Sequence, residues 1–118
     1  MTTWTPEDLA RLADGYSLVL TAGDGGGPGV EIGLAVVDGG VYVRAYRGVR
    51  SRWYRAASEH GHGRIELGGI TRAVSFTPVV EPPAGLDAAF AGKYGPVSDA
   101  LVASPEARAA TVRIDPVA

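Results

Sequence analysis

The spacing of the apolar runs constrains this chain more than any other feature, because glycine-rich turns separate runs that read as strands. Residues 30–36 alternate well enough for one strand, and residues 41–46 for the next. Between them, Asp38-Gly39-Gly40 has the chemistry of a hairpin turn, where positive φ favours Asp and Gly. Residues 64–67 and 73–79 are two more strands joined through Gly68-Gly69-Ile70-Thr71. Residues 16–21 form a strand that leads into the glycine run 23–29, read as a flexible turn. Parallel neighbours need a crossover of a dozen or more residues, so links this short imply antiparallel pairing. With residues 111–114 the count reaches about six strands. The class is mainly β with peripheral helices, and a small barrel fits it.

The helices announce themselves by caps and by period. Thr5 before Pro6, with Asp8 three residues after Thr5, resembles an N-cap, a first-turn proline and a capping-box acid. Leu9, Leu12 and Ala13 give that helix an apolar edge, and Gly15 is expected to end it in the left-handed conformation. Val49, Trp53, Ala56 and Ala57 recur at helical spacing after Gly48, and His60-Gly61-His62-Gly63 closes the segment. Leu86, Phe90 and Tyr94 form one stripe four residues apart, residues 98–102 read as another turn of helix, and Ser104-Pro105-Glu106 is a second capped start. Glu81-Pro82-Pro83 is too short to act as a linker between domains. The 118 residues, 46% of them hydrophobic, therefore make one domain, residues 1–118.

Composition removes several functions. With no cysteine there is no disulfide framework, thiolate nucleophile or cysteine-ligated metal. No run of eighteen apolar residues is present to span a membrane. The first residues lack the basic start and apolar core of a signal peptide, so a cytoplasmic protein is expected. The net charge of −2 argues against nucleic acid as a partner.

Positive charge is nevertheless concentrated in one place. Arg44, Arg47, Arg50, Arg52 and Arg55 hold nearly half of the eleven basic residues, and no acid lies between Asp38 and Glu59. Here a strand meets a glycine and then a helix, whose first amides can bind an anion. Tyr42, Arg44 and Tyr46 share a strand face opposite Val41, Val43 and Ala45. Arg44, Arg47, Ser51 and Arg52 are expected to converge on a phosphate, because the guanidinium fork can donate two hydrogen bonds at once. Tyr46 and Trp53 offer flat surfaces for a ring. The plainer alternative is a solvated basic helix face with Trp53 as a core anchor.

These residues also carry a resemblance. Tyr42-Val43-Arg44, then Arg52-Trp53-Tyr54 with Ala56-Ala57, Gly63-Arg64-Ile65, Lys93-Tyr94-Gly95 and Ala110-Thr111-Val112-Arg113 resemble the DUF2255 family over nearly the whole chain. That family is similar to the FMN-binding split-barrel superfamily, which includes pyridoxine-phosphate oxidases and deazaflavin-dependent nitroreductases. The resemblance implies a split β-barrel of about six antiparallel strands, a homodimer, and FMN or a deazaflavin bound between subunits. It implies an oxidoreductase in which Arg44, Arg47, Ser51 and Arg52 hold the phosphate and the cofactor supplies the redox chemistry. Tyr46, Trp53 and Lys93 complete the expected cofactor-binding set, although Lys93 in a last helical turn can equally serve the helix dipole. The same cleft also suits a non-catalytic module for an anionic ligand, or a dimeric interaction module without cofactor.

Other signals are weak. His60 and His62 lack the third ligand that a catalytic zinc site usually has, so no metal is expected. The glycines at 23–29 lack the Gly-Lys-Ser/Thr ending of a phosphate loop, and no nucleophile elbow is present. Glu66, Asp87 and Asp99 have no pairing that points to acid–base work, and no catalytic side chain is assigned.

Overall fold

Turn and cap chemistry sets the order of elements in the computed structural model, which describes residues 3–24, 29–95 and 104–117. Thr5 caps α1 (Pro6–Asp14) by accepting from the Asp8 amide at 3.1 Å. Strands β1 (Leu18–Ala22), β2 (Val30–Ile32), β3 (Ala35–Val37) and β4 (Gly40–Arg44) follow, then a 3-10 turn, Gly48–Arg50. Next come α2 (Arg52–His60), β5 (His62–Leu67), β6 (Ile70–Pro78), α3 (Leu86–Tyr94), α4 (Pro105–Ala109) and β7 (Thr111–Pro116). The β3–β4 turn has positive φ at both central residues, Asp38 at 49° and Gly39 at 80°, the requirement of a tight right-twisted hairpin.

The seven strands form one sheet in the order β2-β1-β5-β6-β7-β4-β3. Every neighbouring pair is antiparallel. The two outermost strands, β2 and β3, are consecutive in the chain, separated by Gly33 and Leu34 alone. In a flat sheet these edges would stand roughly 29 Å apart, at about 4.8 Å per strand. Three residue steps reach about 11 Å at most. The sheet must therefore curl, and it does so as a half-barrel.

Tyr94, the last residue of α3, fills the break between the two edges. Its hydroxyl accepts from the Leu34 amide at 2.9 Å and lies 2.5 Å from the Tyr16 carbonyl and 3.2 Å from the Leu34 carbonyl, either of which can take its proton. Burial pushes the phenol's pKa up, so it keeps that proton near neutrality. Gly33 leaves room for this approach, since a Cβ would stand 2.9 Å from the Tyr94 oxygen and displace the phenol.

Burial divides the core in two. Leu18, Leu20, Leu34, Val41, Val43, Ile65, Val74, Phe76, Val112 and Ile114 form the main core, with α2 laid against β1, β5 and β6. Trp4 joins it and donates its indole N–H to the Ile114 carbonyl at 3.0 Å. On the other side of β3 and β4, Ala35 and Tyr42 pack under Leu86 and Phe90 of α3.

Several expectations need correction. The tally of about six strands becomes seven among the described residues, because residues 30–36 do not form one strand but split at Gly33-Leu34 and supply both edges. The returning strand ends at Arg44, so Tyr46 lies beyond it and leaves the face shared by Tyr42 and Arg44. That face is covered by α3 and buried, not open. Ile70 and Thr71 are ladder residues, since Gly68-Gly69 alone make the turn between Leu67 and Ile70. Gly15 ends α1 at a φ of −71°, outside the left-handed region. Val49 is exposed because the 3-10 turn separates it from the apolar stripe of α2. Residues 25–28 of the glycine run, and the helical turn expected at 98–102, lie outside the described residues.

Replacing Tyr94 by Phe keeps the ring and leaves the buried Leu34 amide without its acceptor. Stability should fall by about 1–3 kcal/mol, the usual cost of an orphaned buried donor. A urea titration would register this as a lower midpoint at unchanged slope.

Candidate functional site

The site is built around Arg44, the last residue of β4, which pairs in register with Thr111 of β7. The Arg44 side chain is 1% exposed. A charge so buried costs several kcal/mol unless its donors are met. Its Nε donates to Thr111 Oγ1 at 2.9 Å, and that hydroxyl donates on to the Arg108 carbonyl at 2.8 Å. The guanidinium carbon lies 5.5 Å from the centre of the Phe90 ring. Nη1 donates to Asp87 Oδ1 at 2.5 Å.

Asp87 also meets a second arginine, with Arg108 Nη2 at 2.6 Å from Oδ2. One carboxylate thus bridges two guanidiniums. Local structure explains its delivery. Gly85, at φ 89°, starts α3 and puts Asp87 in the first turn, where a negative charge suits the helix dipole. Ser104 caps α4 by accepting from the Ala107 amide, and Arg108 falls in that helix's last turn. Burial pushes the Asp87 carboxyl up, but the hydrogen bonds and charges of Arg44 and Arg108 outweigh it and hold its pKa below the usual range. Unlike Arg44, the Asp87 and Arg108 side chains are 43% and 50% exposed. With Arg44 and residues 82–86, they wall a cleft of about 290 Å³.

The basic stretch lies next to this cleft through α4. A Cβ on Gly48, whose φ is 81°, would stand 3.2 Å from Glu106 Cβ, so the 3-10 turn sits directly on the helix that carries Arg108. Arg47, Arg50, Arg52 and Arg55 are exposed. The Arg47 guanidinium carbon is 5.7 Å from the centre of the exposed Tyr46 ring. Ser51 caps α2, its oxygen accepting from the Tyr54 amide at 3.2 Å. Trp53 is half-buried against the main core and meets Tyr54 edge to face.

Lys93 is placed elsewhere. It occupies the far end of α3, where Nζ donates to the Leu12 carbonyl at 3.3 Å, and burial lowers its pKa. The expected set therefore separates into a buried, bonded Arg44, an exposed group of Tyr46, Arg47 and Arg52, a capping Ser51, a core-packed Trp53 and a distant Lys93. Sequence reasoning missed Asp87 and Arg108. Neither stands near Arg44 in the chain, and the three meet through the β4–β7 register and the packing of α3 and α4 beside it.

His62 Nδ1 lies 3.0 Å from the His60 carbonyl oxygen and Nε2 3.1 Å from Asp24 Oδ1, and these contacts raise its pKa. Among the described residues, no three His, Cys, Asp or Glu side chains come together as a metal site. No helix is long and apolar enough to cross a membrane, again among the described residues.

Residues 13–114 match the model of a family described as uncharacterized protein conserved in bacteria, DUF2255. No curated protein matches the chain.

The depressed Asp87 pKa makes a signed prediction. A carboxyl with a lower pKa folded than unfolded contributes stability that is complete above its unfolded value, about 3.9, and lost as pH falls through the folded one. The stability difference between wild type and Asp87→Asn should be constant from neutrality to about pH 5 and shrink below about pH 4. Paired denaturant titrations across that range would show it; a difference independent of pH would mean that Asp87 is not held by the two arginines.

Proposed function

The chain belongs to the DUF2255 family, and from that premise we propose that it binds a small phosphate-bearing ligand at the cleft between α3, α4 and the end of β4. The observation that carries this reading is the convergence of Arg44 and Arg108 on one half-exposed carboxylate in the cleft wall. Two guanidiniums aimed at one acidic group make a ready seat for phosphate. The neighbouring arginines 47, 50, 52 and 55 raise the local concentration of anions around it. Affinity comes from the pair, and Arg47 and Arg52 contribute at the rim.

FMN or a deazaflavin is the specific ligand that the split-barrel resemblance implies. The phosphate end of such a cofactor fits the arginines. The ring end has less on one chain, because Trp53 is committed to the core and Tyr46 alone offers an exposed aromatic face at this junction. In this reading a second copy of the chain supplies the other wall of the ring slot, hence a homodimer. Bound flavin would carry the hydride chemistry of an oxidoreductase. The residues of this chain would hold the phosphate and orient the ring.

Purified protein titrated with inorganic pyrophosphate, FMN and a deazaflavin nucleotide tests both levels. Saturable binding of all three is expected, followed by thermal shift and by flavin fluorescence. Arg108→Ala should weaken it about tenfold or more, the worth of a lost charge-assisted pair. Arg47→Ala and Arg52→Ala should weaken it less. Pyrophosphate binding without flavin binding would remove the oxidoreductase and leave the anion site. No binding of any of them at millimolar concentration would overturn the proposal. Arg44→Ala is a poor probe, because it also empties a buried position.

A further inference from the structure

Resting on the anion-site reading, we infer that Asp87 is a built-in competitor: its carboxylate occupies the ligand's seat, and an incoming phosphate must displace it from Arg44 and Arg108. The three residues differ in freedom. Arg44 is held by Thr111 Oγ1 and by its stacking on Phe90, so its guanidinium is fixed in direction. Asp87 is a short side chain on the first turn of α3, nearly half exposed to the cleft. Arg108 is half exposed and can follow a ligand.

Geometry makes displacement the economical route. The two Asp87 oxygens lie 2.5 and 2.6 Å from the arginine nitrogens, which is full hydrogen-bonding contact. A phosphate that kept those arginines while Asp87 stayed in place would bring its own charge against the carboxylate. Exchange of one anion for another keeps an acidic partner on buried Arg44 throughout. The remaining cleft wall, residues 82–86, carries no charged side chain, so it offers Asp87 no other cation. Released Asp87 turns to water, to which its side chain is already open. The apparent affinity for ligand is then the intrinsic affinity reduced by the fraction of molecules with the seat vacated.

The test is isothermal titration with inorganic pyrophosphate at fixed ionic strength, comparing wild type, Asp87→Asn and Arg108→Gln. The amide of Asp87→Asn keeps the shape and an acceptor for Arg44 but competes weakly. Asp87→Asn should bind pyrophosphate about tenfold more tightly than wild type. Arg108→Gln, at an exposed position that folding tolerates, should bind about tenfold more weakly. Circular dichroism establishes that each variant is folded. If Asp87→Asn fails to fold, Asp87→Glu takes its place: it keeps the competing charge and should bind no more tightly than wild type, and a tenfold gain would sink the competitor. Unchanged or weaker binding by folded Asp87→Asn, alongside loss in Arg108→Gln, would refute the competitor and leave the anion site standing. Absence of binding by both wild type and Asp87→Asn would overturn the competitor and the anion site together.

Discussion

A two-residue link, Gly33-Leu34, joins the strands at opposite edges of the sheet, and most of the architecture follows from that short tether. Seven strands cannot lie flat when their outermost members are bound within about 11 Å. Curling brings the edges together without pairing them, which leaves backbone groups at Leu34 in need of partners. A side chain must supply them, and Tyr94 does. The phenol arrives at the C-terminal end of α3, so the meeting of the two sheet edges determines where that helix lies.

The same helix builds the site. Over nine residues, α3 carries Tyr94 at one end and Asp87 near the other, with Phe90 between them under the Arg44 guanidinium. Sealing the strand edges and delivering a carboxylate to Arg44 are therefore two consequences of one docking. Leu86 and Phe90 set its rotation by packing on Ala35 and Tyr42. Stability alone does not call for an arginine at the end of β4. Well-packed apolar side chains in place of a buried ion pair are often as stable or more so. Between Thr111 and Phe90, such a substitution would remove the desolvation cost and the need for Asp87. In the proposed function, an arginine held in this way serves what its guanidinium can receive.

Much of the fold was legible because its signals are local. The Thr5 and Ser104 caps, the Asp38-Gly39 turn and the Leu86–Phe90–Tyr94 stripe each depend on residues within one or two turns of each other. Residues 30–36 misled for the opposite reason: alternation is the same whether a strand continues or passes to the other sheet edge. What splits it is Tyr94, sixty residues later. Arginine clustering singled out the stretch that begins at Arg44 but not the partners that Arg44 meets. Periodicity could place Arg44 opposite Val43, yet not that α3 would cover that face. Asp87 and Arg108 had no linear signal, since their meeting depends on the pairing of β4 with β7 and on the two helices packed beside it.

The linear cluster and the spatial pair do different work. Arg47, Arg50, Arg52 and Arg55 project into water, where salt screens them beyond roughly 8 Å and each isolated pairing is worth little. Such residues attract anions without selecting among them. Selection needs donors whose directions are fixed before the ligand arrives, and in this site Arg44 meets that condition through Thr111 and Phe90. On the proposed reading, exposed charge beside a rigid, already occupied guanidinium divides recognition into two steps. In the proposed function, the rim sets how fast an anion arrives, and the contest with Asp87 sets whether it stays.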